Sequence, residues 1–526
     1  MNFLKPLTTM PYIDFNKNQI AQLNFPFDYT IIGAGVAGIL LAIKLSEKNK
    51  RVLVIESGHF EEDEKRQDLN RVEQTAKVVE NAINGRKRAV GGTSIAWGGQ
   101  SLPFSALDFE QKDFVEHSGW PIDLADLTPY YPLANRFLGI DEWDYENDIF
   151  KRLKYKKIHF KADTFYQHFS KWSPQPNLKK RYNRQLKRDV TVIYNAVLTQ
   201  IDVDTEGAAE KILMTNFNKK QAYIPVKNLL LATGGIETNR ILLANNHQQK
   251  GGLGNHSGWL GKCFMDHPCI EIAALEHPDL YKLQAIFNTH LYKRRKYSIR
   301  LSLTALAQQK FQLVNGSVLV EFRKYPTDED NPYTELFNFK QPSRLINFSK
   351  IIKNYKSYWR TAKALMAHNF VYKHKALPII ALMMEQEPTT NSYIGLSAQK
   401  DIFGIPKAKI NWEISSKTWA SVNAIAQFLK NEFGRLGLGD LTIYPHITPN
   451  TDNWADYLTD ANHHIGGTRM SKTPDKGVVN SDLSIWGHNN IYVCSTAVFP
   501  TGSHSNPTLT LMALCLRLVN HLEHTE

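Results

Sequence analysis

The sequence predicts an α/β protein made of a doubly wound, Rossmann-like domain and a second, α+β, domain. Two observations predict the first part. Phe27 to Ile32 (FDYTII) is an apolar run that feeds the glycine turn Gly33-Ala34-Gly35-Val36-Ala37-Gly38, and the helical pattern ILLAIKLSEKNK and a second apolar run, RVLVIE, follow. Strand, glycine turn, helix and strand in that order form the context in which GxGxxG signals a dinucleotide. The second part rests on length and on a change of character. At 526 residues the chain exceeds one small core, and from about residue 270 to 455 the text becomes aromatic and strand-like.

Within the glycine turn, Gly33 permits the tight bend, Gly35 lets backbone approach a pyrophosphate, and Gly38 lets helix and strand pack. Ala37 belongs to the same contact surface. Glu56 ends the second strand, with Ser57 beside it, where a carboxylate accepts both ribose hydroxyls of an adenosine and repels a 2′-phosphate. NADP is therefore disfavoured, while NAD and FAD both stay open from this motif alone.

Composition narrows the class. Hydrophobic content of 42% with 22% charged residues describes an ordinary soluble protein. The net charge of +12, from 63 basic and 51 acidic residues, favours anionic partners without identifying them. Cys263, Cys269, Cys494 and Cys515 show no CxxC spacing, so reduced thiols in a cytoplasmic protein are expected. Residues 1 to 27 carry Lys5, Asp14 and Lys17 and no apolar core of signal-peptide length, which argues against export. The longest apolar run, Ala376 to Met384, is about half of what a membrane span needs. No HExxH or CxxC spacing suggests a metal site, and no GxSxG elbow suggests a serine hydrolase.

Further along, Glu61 to Glu80 reads as a solvated helix or loop. Arg86 to Gln100 (RKRAVGGTSIAWGGQ) sets Gly92, Thr93, Trp97, Gly98 and Gly99 among small residues, a composition for backbone pressed against a flat ligand. Residues 118 to 138 contain a helix start near Asp126 to Pro129, and residues 150 to 184 have no clear period. TVIYNAVLTQIDVD is strand-like; NLLLATGG, ending in Thr233 and Gly234, is a strand returning to the nucleotide domain, with a helix from Glu237 to Asn245. Ser416 to Leu436 is a helix stopped by Gly437.

Between Glu335 and Glu385 no acidic residue occurs, while lysines and arginines alternate with aromatics such as Tyr355 and Trp359. The plain reading is an amphipathic helix with a solvated basic face. Its rival is peripheral contact with an anionic membrane or a protein through residues 340–375.

Chemistry concentrates at the C-terminal end, from Asn462 to Leu516. His464 can take a proton near neutral pH, and Asn506 can donate an amide hydrogen. Pro507 suits the first position of a helix, which puts Asn506 at the N-cap and Thr508 in the first turn. A flavin that has accepted a hydride is anionic along one edge, and a helix start aimed there stabilises it. His463 neighbours His464; on extended chain the two point to opposite faces, and spacing alone does not choose between them. His504 reads as a surface-loop residue and His267, in MDHP, as structural.

Together, GAGVAG with Glu56, VGGTSIAWGG, LLLATGGIETNRILL, GLGN with MDHP, HIGGTRM and FPTGSHSNPTLT resemble, in this order, the glucose-methanol-choline (GMC) oxidoreductases. The C-terminal spacing is most similar to the pyranose-oxidase, sugar-oxidising branch. The resemblance implies FAD and oxidation of a CH–OH group, of a sugar or glycoside, to a carbonyl by hydride transfer to flavin N5. It implies His464 as base, Asn506 as the second catalytic residue and backbone near Val197 against the adenine. Ala96 stands where relatives carry a histidine bound covalently to the flavin, so non-covalent FAD is expected.

The expected fold places 24–145, 185–262 and 456–526 in the FAD-binding domain, and 146–184 and 263–455 in the substrate-binding domain. The electron acceptor is oxygen, or a quinone or protein partner if the chain is a dehydrogenase. A lyase with FAD as spectator and a non-turning FAD-binding protein are the remaining alternatives. The expected location is cytoplasmic, or peripheral at the inner face of a membrane.

Overall fold

A computed structural model of the chain describes residues 12–17, 20, 23, 25–293, 295–323, 355, 359, 369–371 and 375–525. The continuous apolar runs of the nucleotide half become strands of one sheet. Tyr29–Ile32, Val52–Glu56 and Leu229–Leu231 are buried at every position, the signature of strands covered on both faces. The sheet is parallel, in the order Tyr12–Asp14, Thr191–Tyr194, Val52–Glu56, Tyr29–Ile32, Leu229–Leu231 and Ile491–Val493.

From Tyr29–Ile32 the chain turns at Gly33 into the helix Val36–Glu47 and returns as Val52–Glu56. Leu229–Leu231 lies on the other side of Tyr29–Ile32. Strand order therefore reverses there, which opens a crevice at the carboxyl ends of the two strands. The C-terminal helix Thr508–Thr525 packs beside Val36–Glu47 and buries Leu509, Met512, Leu516 and Val519.

Among the described residues, the second half is organised on an antiparallel sheet of nine strands. Phe165–Trp172, Arg295–Leu303, Gly316–Arg323, Leu377–Met384 and Cys269–Glu276 are neighbours in it. One face packs Tyr297, Ile299, Leu301 and Leu382 against Val422, Ile425, Leu429 and Phe433 of the helix Ser416–Leu436. That helix ends, as its sequence predicts, at Gly437 in the left-handed conformation (φ 61°). The apolar run Ala376 to Met384 supplies the strand Leu377–Met384. Among the described residues no helix is long and apolar enough to cross a membrane.

A smaller sheet links the halves: Tyr393–Lys400 pairs with Pro406–Asn411, which pairs with Val72–Gln74. Residues 150–184, which show no period, hold the strand Phe165–Trp172 and the start of the helix Leu178–Asp189. Leu178 and Leu186 of that helix join the core of the nucleotide half. Of the basic stretch 340–375, only Tyr355, Trp359, 369–371 and Lys375 fall within the described residues; Tyr355 and Trp359 are exposed.

Candidate active site

The crevice is a cleft of about 600 Å³. Gly33, Gly35, Ala37, Glu56, Ser57, Gly92, Thr93, Ala96, Trp97, Gly98, Gly99, Thr233, Gly234, His464, Asn506 and Thr508 line it. Gly38 and Val197 lie behind this surface. A Cβ on Gly38 would fall 1.9 Å from the carbonyl oxygen of Gly33, so this glycine serves packing of helix against turn. Val197 packs with Leu69 and Phe217, next to Ala196, whose N–H donates to the Glu56 carbonyl at 3.0 Å.

At one end the walls suit a dinucleotide diphosphate. Gly35 caps Val36–Glu47 without a side-chain hydrogen bond, and a Cβ added there meets nothing within 4 Å. Open space in front of a helix start with unpaired N–H groups is an anion cradle. Glu56 Oε2 accepts the Ala34 N–H at 2.8 Å and Oε1 the Gly58 N–H at 2.7 Å. Burial raises its pKa, against those two bonds. The carboxylate thus braces the turn; Ser57 Oγ also donates to Oε1 at 3.4 Å, and Oε2 keeps a second lone pair for a ribose hydroxyl.

The positive charge beside the cradle comes from residues the sequence reading did not single out. Arg88 Nη1 donates to Ser57 Oγ at 2.9 Å, and Arg88 Nη2 meets Glu237 at 2.7 Å. Glu237 also holds Arg240 at 2.8 Å and lies 4.0 Å from Arg86; Arg240 in turn pairs with Asp401. Three guanidiniums face two carboxylates, leaving a cationic surplus. These residues fit FAD, the cofactor that the fold family implies: a glycine cradle at a helix start, surplus positive charge, and a carboxylate at the end of the second strand.

At the other end the chain brings histidines together by strand register. Met265 and Ile465 exchange backbone hydrogen bonds of 2.9 and 2.8 Å in an antiparallel bridge. Continuing that register sets His267 opposite His463 and Asp266 opposite His464, on alternate faces. The contacts follow. His267 Nδ1 lies 2.8 Å from His463 Nδ1, and His464 Nε2 lies 3.9 Å from Asp266 Oδ2.

It is His463 that meets Asn506, with 3.2 Å between His463 Nε2 and Asn506 Nδ2. His464 turns instead toward Phe264, its ring 6.3 Å away by centroids, and its Nε2 has no hydrogen-bond partner among the described residues. Burial, and then Arg86, lower the His464 pKa to about 3. The expected pairing of His464 with Asn506 across one hydroxyl is therefore not the hydrogen-bonded arrangement. Both histidines line the cleft, but on different faces of the strand.

The tautomers follow from one fixed acceptor. His267 Nε2 is 3.1 Å from the Gly502 carbonyl oxygen, which can only accept. His267 Nε2 therefore carries the proton. Burial lowers the His267 pKa to about 4, so the ring is neutral and its Nδ1 offers a lone pair. His463 Nδ1–H must donate to it. Burial, then His267 and His464, hold His463 well below the usual imidazole range; its Nε2 is thus unprotonated and accepts from the Asn506 amide.

Two further expectations change. His504 is buried, 2% exposed, with Nε2 2.8 Å from Ser302 Oγ, so it belongs to the interior rather than to a surface loop. The C-terminal helix begins at Thr508, and the Pro507 carbonyl accepts from the Leu511 N–H at 3.0 Å. Pro507 thus occupies the N-cap and Asn506 precedes it, freeing the Asn506 amide for His463. The MDHP motif was the available signal for His267; nothing local in the sequence signals its partner.

A parallel nucleotide sheet, a cleft at its switch point and a second sheet closing that cleft define a two-domain dinucleotide-binding protein. A family model described as GMC oxidoreductase matches residues 388–515, and one described as NAD(P)-binding Rossmann-like domain matches residues 31–60. The fructose dehydrogenase large subunit of Gluconobacter japonicus is 23% identical over 334 residues, 63% of this chain and 53% of that protein. The chain thus spans about half the length of that relative. The 2-methyl-1,2-propanediol dehydrogenase of Mycolicibacterium austroafricanum is 20% identical, covering 94% of this chain and 95% of that one. Pyridoxine 4-oxidase from Mesorbium loti shares the fold, with a TM-score of 0.56 at 13% identity over 95% of this chain and 99% of that one. Residues 388–515 thus match the GMC oxidoreductase model, and the fold over nearly the whole chain is the one seen in pyridoxine 4-oxidase.

Proposed function

We propose that the chain is an FAD-dependent oxidoreductase that converts a CH–OH group, of a sugar or glycoside, to a carbonyl, with His463 rather than His464 as base. The observation that carries this is the 3.2 Å contact between His463 Nε2 and the Asn506 amide on the cleft wall. An alcohol entering between them replaces that bond. Its hydroxyl donates to His463 Nε2 while its oxygen accepts from Asn506 Nδ2. As the C–H bond breaks, His463 takes the hydroxyl proton and Asn506 stays hydrogen-bonded to the oxygen that becomes the carbonyl. Bound FAD supplies the acceptor for the hydride that leaves the carbon. Protonated His463 keeps its Nδ1–H on the His267 lone pair, which holds the ring in place.

The sugar reading is supported by the name of the fructose dehydrogenase relative, and the propanediol dehydrogenase is likewise named for a CH–OH substrate. Anaerobic mixing of the FAD-loaded protein with a panel of sugars, glycosides and diols tests the reaction through bleaching of the flavin. Base catalysis is worth ~10²- to 10⁴-fold, so His463→Ala is expected to slow bleaching by that order with FAD retained, and His464→Ala to leave it fast. The reverse pattern rejects His463. Remixing the bleached protein with oxygen or a quinone distinguishes oxidase from dehydrogenase.

Ala96 lines the cleft with a methyl group, which supports FAD held without a covalent bond. Flavin that stays in the pellet after acid precipitation rejects this. The proposed location is the cytoplasm, a reading that four cysteines without disulfides support, with residues 340–375 proposed as a peripheral membrane or protein contact. Sedimentation with anionic vesicles tests the membrane contact.

A further inference from the structure

The strand Arg295–Leu303 runs beside Phe165–Trp172 with Lys296 opposite Trp172, Ser298 opposite Ser170 and Arg300 opposite His168. Tyr297, Ile299 and Leu301 belong to the core of the second half, so by alternation Lys296, Ser298 and Arg300 project from the other face of the sheet. That face meets the cleft. Trp172 and Gln100 line it; Gln100 Nε2 donates to Ser170 Oγ at 2.7 Å, and Gln100 Oε1 lies 3.5 Å from Arg300 Nη2. Ser302, farther along the strand, holds His504 at 2.8 Å, close in sequence to Asn506.

Arg300 is thus set between the glycine segment that ends at Gln100 and the segment that carries Asn506. Its Nη1 is buried and has no hydrogen-bond partner among the described residues. Glu321 acts on it electrostatically without a hydrogen bond between them, and Glu321 itself holds Arg323 at 3.2 Å. Lys296 adds a second cation on the same face, its Nζ 3.6 Å from the centre of the Trp172 ring. A buried guanidinium N–H left without an acceptor costs free energy that a ligand anion offsets, and the planar fork suits a carboxylate or a phosphate.

We propose that Arg300, supported by Lys296 and Gln100, is the anion-recognition point of the substrate cleft, so that the alcohol taken carries a carboxylate or phosphate group. The inference rests on the oxidation reading for the word substrate, and deepens it by naming a class: acidic or phosphorylated sugars. Burial lowers the Arg300 pKa to about 10, which leaves it charged at neutral pH and ready for a counter-anion. The surplus of basic residues in the chain, 63 against 51, gives long-range attraction the same sign.

Isothermal calorimetry on the FAD-loaded protein with methyl glucuronide, glucose 6-phosphate and methyl glucoside tests this without turnover. At least one anionic sugar is expected to bind roughly tenfold to a hundredfold more tightly than the neutral one, and which one does so separates carboxylate from phosphate. Arg300→Gln is expected to erase that preference and Arg300→Lys to keep part of it, which also covers the case in which the glutamine variant fails to fold. Equal or undetectable binding of all three sugars by the native protein, or an unchanged preference in Arg300→Gln, overturns the proposal. Flavin bleaching by neutral alcohols in the same preparations reports the oxidation reading separately: bleaching without anion preference rejects the Arg300 role alone.

Discussion

His463 and His267 face each other through their Nδ1 atoms at 2.8 Å, and the Gly502 carbonyl on the far side of His267 decides which ring donates. With His267 Nε2–H given to Gly502 at 3.1 Å, His463 must keep its proton on Nδ1 and its lone pair on Nε2. With His463 as the proposed base, His267 is its positioning residue. Replacing it by leucine removes the acceptor, and His463 can then adopt the tautomer that is useless as a base. Flavin reduction is expected to slow about tenfold or more, close to 1.4 kcal/mol of barrier per tenfold, with FAD content unchanged. His267→Gln, whose amide oxygen can accept from His463 Nδ1, is expected to restore much of the rate. Stopped-flow reduction measures both; a leucine variant at full speed would remove His267 from the mechanism.

The same burial that keeps His463 neutral makes the fold acid-sensitive. Burial holds His267, His290 and His504 at about 4 and His464 at about 3, and holds His168 and His463 well below the imidazole range. Unfolded, each protonates near 6.5. Between the two values the unfolded chain binds protons that the native chain refuses, so the contribution is whole above about 6.5 and is lost as pH falls toward the folded values, by about 1.4 kcal/mol per unit for each fully shifted ring. Asp266 opposes the trend. Burial and then Asp460 raise it to about 7, so the native state gains from its protonation as pH falls. Six rings against one carboxyl leave the histidines in charge. Thermal melting is expected to fall steeply from pH 6.5 to 5, while the rate of flavin reduction, corrected for unfolding, stays level across that interval. A level melting temperature would contradict the burial of these rings.

What was legible in the sequence was what local chemistry decides. The turn from Gly33 to Gly38, the strand Val52–Glu56 and the helix Ser416–Leu436 each carry their own period and stop signal, and each forms where its residues indicate. Which of His463 and His464 meets Asn506 depends on the bridge from Met265 to Ile465, a register between distant segments that no periodicity encodes. Phe165–Trp172 escaped notice for a related reason. Both of its faces are covered, so the apolar-polar alternation is absent, and Lys171 is buried in a 3.0 Å pair with Asp141. His504 looks polar and loop-borne until Ser302, from another strand, closes over it.

Gly35 and Gly38 separate cofactor binding from folding. A Cβ at Gly35 meets nothing within 4 Å, and the backbone there (φ −82°) suits any residue. A Cβ at Gly38 meets the Gly33 carbonyl oxygen at 1.9 Å. Gly35→Ala is therefore expected to leave the FAD-free protein within about 0.5 kcal/mol of native stability while weakening FAD retention about tenfold, because the methyl fills the cradle. Gly38→Ala forces helix from turn and is expected to cost about 1–3 kcal/mol of stability, the range for overpacked sites. Denaturant melts of the stripped proteins and titration with FAD measure the two effects; similar behaviour of both variants would mean that Gly35 does not face the cofactor.

Glu237 is the hinge of the buried charge network beside the cradle. Burial pushes its carboxyl pKa up, but Arg240, Arg88 and Arg86 together hold it well below the ordinary carboxylate range. Glu237→Gln keeps the shape and leaves three guanidiniums with Asp401 as their remaining carboxylate. Breaking a buried pair by removing one partner costs about 3–5 kcal/mol, and the FAD-free variant is expected to lose that much in denaturant unfolding. Bound FAD is expected to narrow the gap, since Arg86 and Arg88 line the cleft and a diphosphate there supplies the negative charge that glutamine lacks. A variant as stable as the native protein would show that the guanidiniums are served by water; a gap that FAD leaves untouched would show that the diphosphate lies elsewhere.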